Sequence, residues 1–185
     1  MAKKISTDAD TTLRAYKFRL DPTQTQKIAL AQCAGAARYA YNLLTAHNLE
    51  VSRVRADYWH TRIDAGAEET TVKAELKALA KSDAAYKSIG YAAYGTQYLT
   101  PEINRHRAAS NAITDGADPA AVWPETERSS EPWMHTIPRR VLVSGLQSAD
   151  KAWKNFFDSR TGARAGRLVG TPRFKRKGAS RDSFT

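Results

Sequence analysis

An apolar stripe with helical spacing near the end of the chain constrains its fold more than any other feature. Its members are Val141, Leu142, Leu146, Ala149, Trp153, Phe156 and Phe157. Intervals of three and four residues place them on one face of a helix over residues 137–158, about six turns long. Pro138 stands where the first turn of a helix tolerates proline. We therefore expect a long amphipathic helix whose apolar face packs against other helices.

Two further helices are predicted near the start of the chain. Asp21 is a good helix cap and Pro22 a good first helical residue, so a helix is expected over residues 23–34. Gly35 interrupts the pattern, and a second helix is predicted from Ala36 to about Tyr58. A helix, a glycine turn and a second helix form the outline of a helix-turn-helix.

The middle of the chain predicts two more helices separated by loops. Residues 68–82 favour a helix, and the next helix is expected to begin with Thr100 as its cap and Pro101 in its first turn, and to end near Ile113. The glycine- and tyrosine-rich residues 88–100 are predicted as a loop or short turns. Turn-forming residues in 115–132 predict a long loop.

Both ends of the chain predict short strands. Residues 12–20 alternate apolar and polar side chains from Tyr16 onward, which favours a strand with a basic face formed by Lys17 and Arg19. Residues 172–185 are predicted as two short strands around a turn at Gly178. The expected fold class is therefore mainly α with a small β part (α+β).

The positive charge is concentrated at the end of the chain. The net charge is +10; residues 1–138 hold 17 Lys and Arg against 16 Asp and Glu, whereas residues 139–185 hold 12 against 3. Eight basic residues and no acidic one lie between Arg160 and Arg181. This asymmetry indicates a polyanionic partner, most often nucleic acid. The alternative is a solvated basic tail with no fixed partner.

The sequence gives no sign of a catalytic, metal or cofactor site. Cys33 is the only cysteine, so an internal disulfide and a cysteine-based zinc site are excluded. The four histidines lack metal-ligand spacing, and no glycine-rich loop ends in the Gly-Lys-Ser/Thr sequence that binds nucleotides. We find no signal peptide and no apolar run long enough to span a membrane, so a cytoplasmic protein without membrane contact is expected.

Four stretches of sequence carry a resemblance to a known family. They are residues 13–23 (LRAYKFRLDPT) with Gln26 after them, residues 35–42 (GAARYAYN), residues 149–157 (ADKAWKNFF), and residues 170–177 (GTPRFKRK) followed by 180–184 (SRDSF). Together and in this order, they resemble the amino-terminal part of the TnpB/OrfB family. Its members are insertion-sequence-encoded, RNA-guided DNA endonucleases related to the type V CRISPR effectors. Residues 57–131 match poorly.

The resemblance implies a specific domain organisation. In this family the first strand and the closing basic strands belong to a wedge-type β-barrel, and a helical recognition domain is inserted between them. Here it implies a frayed terminus at 1–11, partial barrel strands at 12–21 and 168–185, and a helical domain at 22–160. Loops are expected near 59–67, 83–100 and 114–135, and a basic glycine-rich linker at 161–167.

The resemblance also implies partners and contact residues. The family's lobe holds a structured guide RNA and binds a short double-stranded DNA motif beside the target. By position, Arg139 and Arg140 are expected to read the motif, with the segment near Tyr98 as their helical partner. The resemblance and the charge at the basic end of the chain together predict the nucleic-acid-binding residues. They are Lys17, Arg19, Arg38, Tyr98, Arg139, Arg140, Lys151, Lys154, Arg164, Arg167, Arg173, Phe174, Lys175, Arg176, Lys177 and Arg181.

The family's nuclease chemistry lies outside these motifs. Its RuvC acids and its zinc ribbon follow the wedge region, so this chain as it stands is expected to bind without cutting. Three alternatives stay open: a stand-alone regulator derived from the same lobe, one subunit of a split nuclease that joins a separately encoded RuvC half, and an unrelated enzyme.

Overall fold

The computed structural model describes residues 21–124 and 131–179, and these residues contain six α-helices. They are α1 (Gln24–Asp64), α2 (Glu69–Ser82), α3 (Tyr91–Tyr94), α4 (Thr100–Thr114), α5 (Pro119–Val122) and α6 (Arg139–Thr161). Short 3-10 helices at Ala84–Tyr86 and Met134–Thr136 and a π-helical turn at Gly95–Leu99 connect some of them. The mainly helical part of the predicted fold class agrees with this architecture.

The first helix is one continuous element of 41 residues. Its cap is Thr23 rather than Asp21: the Thr23 hydroxyl accepts from the backbone N–H of Gln26, whose side chain accepts from the Thr23 N–H. Gly35 lies inside the helix, so the glycine turn predicted there is not formed. A helical glycine costs about 1 kcal/mol relative to alanine. Burial of the neighbouring alanines Ala34, Ala36 and Ala37 offsets that cost.

The core forms where α6 packs on α1. The apolar stripe of α6 is buried as predicted from Val141 to Trp153, where it meets a row of alanines on α1. At its end the prediction was wrong, because Phe157 is 42% exposed. The two helices approach closely at Gly145, where an added Cβ would stand 2.2 Å from the carbonyl oxygen of Ala37. Small residues on both helices therefore allow the two backbones to touch.

The helix around Pro101 begins earlier than the sequence predicted. Backbone angles at Gly95, Leu99 and Thr100 are all α-helical, so α3, the π-helical turn and α4 are continuous. Pro101 has no N–H to donate to the preceding turn. The Gly95 carbonyl accepts from both the backbone N–H and the hydroxyl of Thr100, the latter at 2.7 Å. Thr100 is thus an internal residue rather than a cap, and much of the predicted loop 88–100 is helical.

The carboxyl-terminal end of α1 packs against α2. Val72 and Leu76 of α2 are buried, and the helix predicted over residues 68–82 is confirmed. The guanidinium of Arg62 donates to both carboxylate oxygens of Glu75, at 3.0 and 2.8 Å. This bidentate pair lowers the pKa of Glu75.

The described end of the chain has no regular secondary structure before the turn at Gly178, which contradicts the predicted wedge-type barrel. Residues 21–124 and 131–179 contain no β-strand and no sheet. Gly178 does form a turn, with a φ of 78° and a bond from the Ala179 N–H to the Arg176 carbonyl. The physical reason is that helix side chains, rather than a neighbouring strand, bind the backbone at Val169 and Lys175. The strand predicted over residues 12–20 and the end at 180–185 lie outside the described residues.

Candidate nucleic-acid interface

The last turn of α6 and the residues that follow it are the most basic part of the described structure. From Arg160 to Lys177, which we call the basic segment, there are seven Arg and Lys residues and no acidic one. It leaves α6 at Gly162, whose φ of 76° ends the helix in the left-handed conformation. The backbone N–H of Val169 then donates to the Ser159 hydroxyl at 3.1 Å. The segment is therefore tied to the helix that it follows.

A second attachment joins the basic segment to α1. The side-chain amide of Asn42 donates to the Lys175 carbonyl at 3.0 Å, and its oxygen accepts from the Lys175 N–H at 2.8 Å. This is the pair of bonds that an antiparallel strand would exchange with one residue. One asparagine on a helix therefore takes the place of a partner strand.

The attachment divides the basic segment into inward and outward side chains. Pro172 is buried, and the Lys175 ammonium lies 4.4 Å from the centroid of the Tyr41 ring. Burial raises the pKa of Tyr41, so the neutral ring faces the ammonium as a cation–π partner. Arg173 and Lys177 are exposed, and Phe174 is 51% exposed. The outward side chains offer charges for phosphates and one aromatic face.

The first turn of α6 forms a second candidate contact. Arg139 and Arg140 are exposed there, before the buried stripe begins at Val141. The Nη2 atom of Arg139 donates to the Thr100 hydroxyl at 2.9 Å. The structure thus brings Arg139 beside the end of the π-helical turn, which carries Tyr98.

Tyr98 belongs to a small aromatic cluster. Its ring lies 5.0 Å from that of Tyr94 and 5.4 Å from that of His47, measured between centroids, and it remains 43% exposed. Burial raises the pKa of Tyr94 to about 12 and lowers the pKa of His47. The side chains of Tyr94 and His47 are therefore neutral near neutral pH. The Tyr98 ring packs against these two uncharged rings.

The other predicted residues are distributed over two helices and the basic segment. Arg38 lies on α1 one turn before Asn42, and Lys151 and Lys154 are exposed on α6. Lys154 forms an ion pair with Asp158 at 3.0 Å. Arg164, Arg167 and Arg176 are exposed in the basic segment. Lys17, Arg19 and Arg181 lie outside the described residues.

Asn42 and Thr100 are site residues that the sequence did not reveal. In the sequence, Asn42 stands out only as part of a motif, and Thr100 only as a helix cap. One signal was present: a polar residue such as Asn42 on the core side of a helix needs a hydrogen-bond partner. The partner itself is 133 residues away, which no local pattern reveals.

Within 21–124 and 131–179, no group of three His, Cys, Asp or Glu side chains is arranged to hold a metal ion. No helix in those ranges is long and apolar enough to cross a membrane.

One protein family and two individual proteins match this chain. The OrfB_IS605 family, described as a helix-turn-helix domain, matches residues 12–51. Where the structure describes that region, it consists of the cap and the continuous first part of α1. No solved structure matches the chain significantly.

Two relatives from Mycobacterium tuberculosis, strains CDC 1551 and H37Rv, match over most of the chain. Both are named, by inference, RNA-guided DNA endonucleases. Each is 28% identical over 170 residues, which cover 92% of this chain. The chain spans 28% of the length of these relatives. The family match and the two relatives support the resemblance that the four motifs indicated: the chain is similar to sequences of the TnpB/OrfB family.

Proposed function

We propose that this chain is a nucleic-acid-binding lobe of the TnpB/OrfB type, which binds a structured guide RNA and a short double-stranded DNA motif. The observation that carries the proposal is the basic segment: seven basic residues without an acid, attached to the helical core at Ser159 and Asn42. A solvated tail without a fixed partner would need no such attachment.

The basic segment is assigned to the RNA. Outward Arg173 and Lys177 supply charges for phosphates, and Phe174 supplies a face on which an unpaired base can stack. Each phosphate neutralised releases condensed counterions, so affinity depends on salt. Contacts to the phosphate backbone of RNA carry no sequence information, so we expect the segment to bind without sequence preference.

The first turn of α6 is assigned to the DNA motif. An arginine can donate two hydrogen bonds to guanine in the major groove. Arg139 is oriented by Thr100, and Arg140 is exposed beside it. Tyr98 is close to this turn in the fold, because the π-helical turn that carries it ends at Leu99, directly before Thr100.

The test begins with the RNA that the full chain retains. The chain is expressed in its host together with the surrounding DNA, purified, and its bound RNA is sequenced. We expect one structured RNA to be enriched, and the affinity of the purified chain for that RNA to fall steeply as salt rises. A random RNA population, or an affinity that is flat between low and moderate salt, would overturn the proposal.

The DNA part is tested by selection from a randomised duplex library with the RNA-bound protein. A short preferred motif is expected, and its preference should weaken in Arg139→Ala. The same preference in the variant and the parent would remove α6 from the assignment. No enrichment in either protein would refute motif recognition by this chain.

A further inference from the structure

Two hydrogen bonds attach the backbone of Lys175 in the basic segment to α1, and both are made by the side chain of Asn42. Asn42 satisfies both the N–H and the carbonyl of Lys175, at 2.8 and 3.0 Å. Asn42 is half-buried on α1 and carries no charge. It therefore contributes to the interface by fixing a backbone rather than by touching a phosphate.

We propose that Asn42 is a positioning residue, which holds the basic segment in its binding conformation before the nucleic acid arrives. The inference rests on the proposed function, because it assumes that the basic segment is the contact surface. Extended chain with few contacts loses conformational freedom when it binds, and preorganisation removes that loss from the binding equilibrium. With Asn42 in place, the free protein already holds the segment docked.

The surrounding contacts support one docked arrangement. Pro172 is buried, and the Lys175 ammonium is held 4.4 Å from the ring of Tyr41, the residue before Asn42 on α1. The neighbours Arg173, Phe174 and Lys177 are exposed. Lys175 is therefore assigned to anchoring, and the outward residues on either side of it are assigned to the ligand.

The chain contains a matched control on the same helix. Asn48 binds the backbone of Ile89 through the same two bonds, each 3.0 Å long, and is 2% exposed. It holds a segment that is not part of the basic surface. Asn48→Ala therefore removes an equivalent attachment and shows the effect of reduced stability alone.

The experiment measures the affinity of the full chain for a labelled oligouridylate, longer than a site of roughly 4–16 nucleotides, over a salt series. If Asn42→Ala reduces the docked fraction to about one tenth, the apparent Kd rises about tenfold, because only the docked form binds. The slope of log affinity against log salt should not change, since the complex makes the same phosphate contacts. Exchange of the Lys175 amide with solvent should become faster.

Three variants make the outcome decisive. Asn48→Ala should bind as the parent does, although it is less stable. Asn42→Asp keeps the acceptor for the Lys175 N–H, should show an intermediate loss of affinity, and provides a measurement if the alanine variant does not fold. Arg173→Ala with Lys177→Ala should reduce the salt slope by about 0.7 for each phosphate that the variant no longer neutralises.

Each contrary result has a distinct meaning. Unchanged affinity in Asn42→Ala, or an equal loss of affinity in Asn42→Ala and Asn48→Ala, would overturn the positioning role. A shallower slope in Asn42→Ala would show that its complex neutralises fewer phosphates, and would overturn preorganisation. If the Arg173 and Lys177 variant binds as the parent does, the basic segment is not the contact surface, and the proposed function and this inference both fail.

Discussion

Arg139 donates a hydrogen bond to Thr100 across 39 residues of sequence, with 2.9 Å between the guanidinium nitrogen and the hydroxyl oxygen. The same hydroxyl donates to the carbonyl of Gly95 at 2.7 Å. The first turn of α6 is thus connected to the π-helical turn through one threonine. A guanidinium has five N–H donors in a fixed plane, so a bond to Thr100 orients the plane and leaves other donors for a ligand.

Replacing Arg139 with alanine should reduce discrimination between the preferred DNA motif and a scrambled duplex. The expected loss is about 1–3 kcal/mol, the usual worth of a bidentate arginine contact to a base. Thr100→Val should lose less, because the arginine remains but is no longer oriented. Competition binding with the two duplexes measures both effects. Arg107→Ala, which removes an exposed charge from α4, is the control. A similar loss in that control would assign the effect to overall charge.

Replacing Phe174 with leucine should weaken binding to unpaired RNA. Leucine keeps an apolar side chain but lacks an aromatic face, and stacking on one base is worth about 1–3 kcal/mol. Phe174→Tyr keeps the ring and should bind as the parent does. Binding of a DNA duplex should be unchanged in both variants, since paired bases are already stacked. Equal losses of affinity for RNA and duplex would contradict a stacking role.

Two glycines inside helices should respond in opposite ways to alanine. At Gly145 the new Cβ would stand 2.2 Å from the Ala37 carbonyl oxygen, so Gly145→Ala should destabilise the protein by about 1–3 kcal/mol or more. At Gly35 the nearest atom is the end of the Arg38 side chain at 3.8 Å, so Gly35→Ala should stabilise by about 1 kcal/mol. Urea unfolding measures both free energies. A stabilising Gly145→Ala would show that the helices do not pack as described.

His47 should make the stability depend on pH below its ordinary pKa of 6.5. Burial lowers the pKa of His47 in the folded protein, and its Nε2 atom is buried without a hydrogen-bond partner in the described structure. The unfolded chain therefore takes up the proton first, so the stabilising contribution is present above pH 6.5 and is lost as the pH falls toward the folded-state pKa. Urea unfolding of the parent and of His47→Gln across this range isolates the effect. A stability difference that is independent of pH would contradict it.

The helices with the strongest periodicity were predictable, and the reasons are visible in the core. The stripe from Val141 to Trp153 is buried as its spacing required, and α2 lies where its composition placed it. The turn at Gly35 was wrong because local glycine preference is weak compared with burial of the alanines around it. The helical stretch before Thr100 was missed because tyrosine and glycine disfavour helix locally, whereas Tyr94 and Leu99 gain burial in the core.

The site was predictable in composition but not in arrangement. The positions of Arg139 and the basic segment were predicted from charge and family resemblance, and their assignment to nucleic acid stays a prediction. The strands expected at the end of the chain are not formed in the described residues, because the backbone there binds Asn42 and Ser159. A strand-like sequence pattern does not show whether the backbone will bind a neighbouring strand or a side chain. The contact between Asn42 and Lys175 depends on the complete fold, because the two residues are 133 positions apart.

The close approach of Gly145 to Ala37 also has a consequence for engineering this protein. It places the requirement for small residues on the inner face of α6, whereas Arg139 and Arg140 precede the buried stripe and are exposed. The two parts of one helix can therefore be varied independently. Libraries that randomise the first turn of α6 should retain folded members, and grafts from related proteins should transfer DNA preference when the junction is placed before Val141.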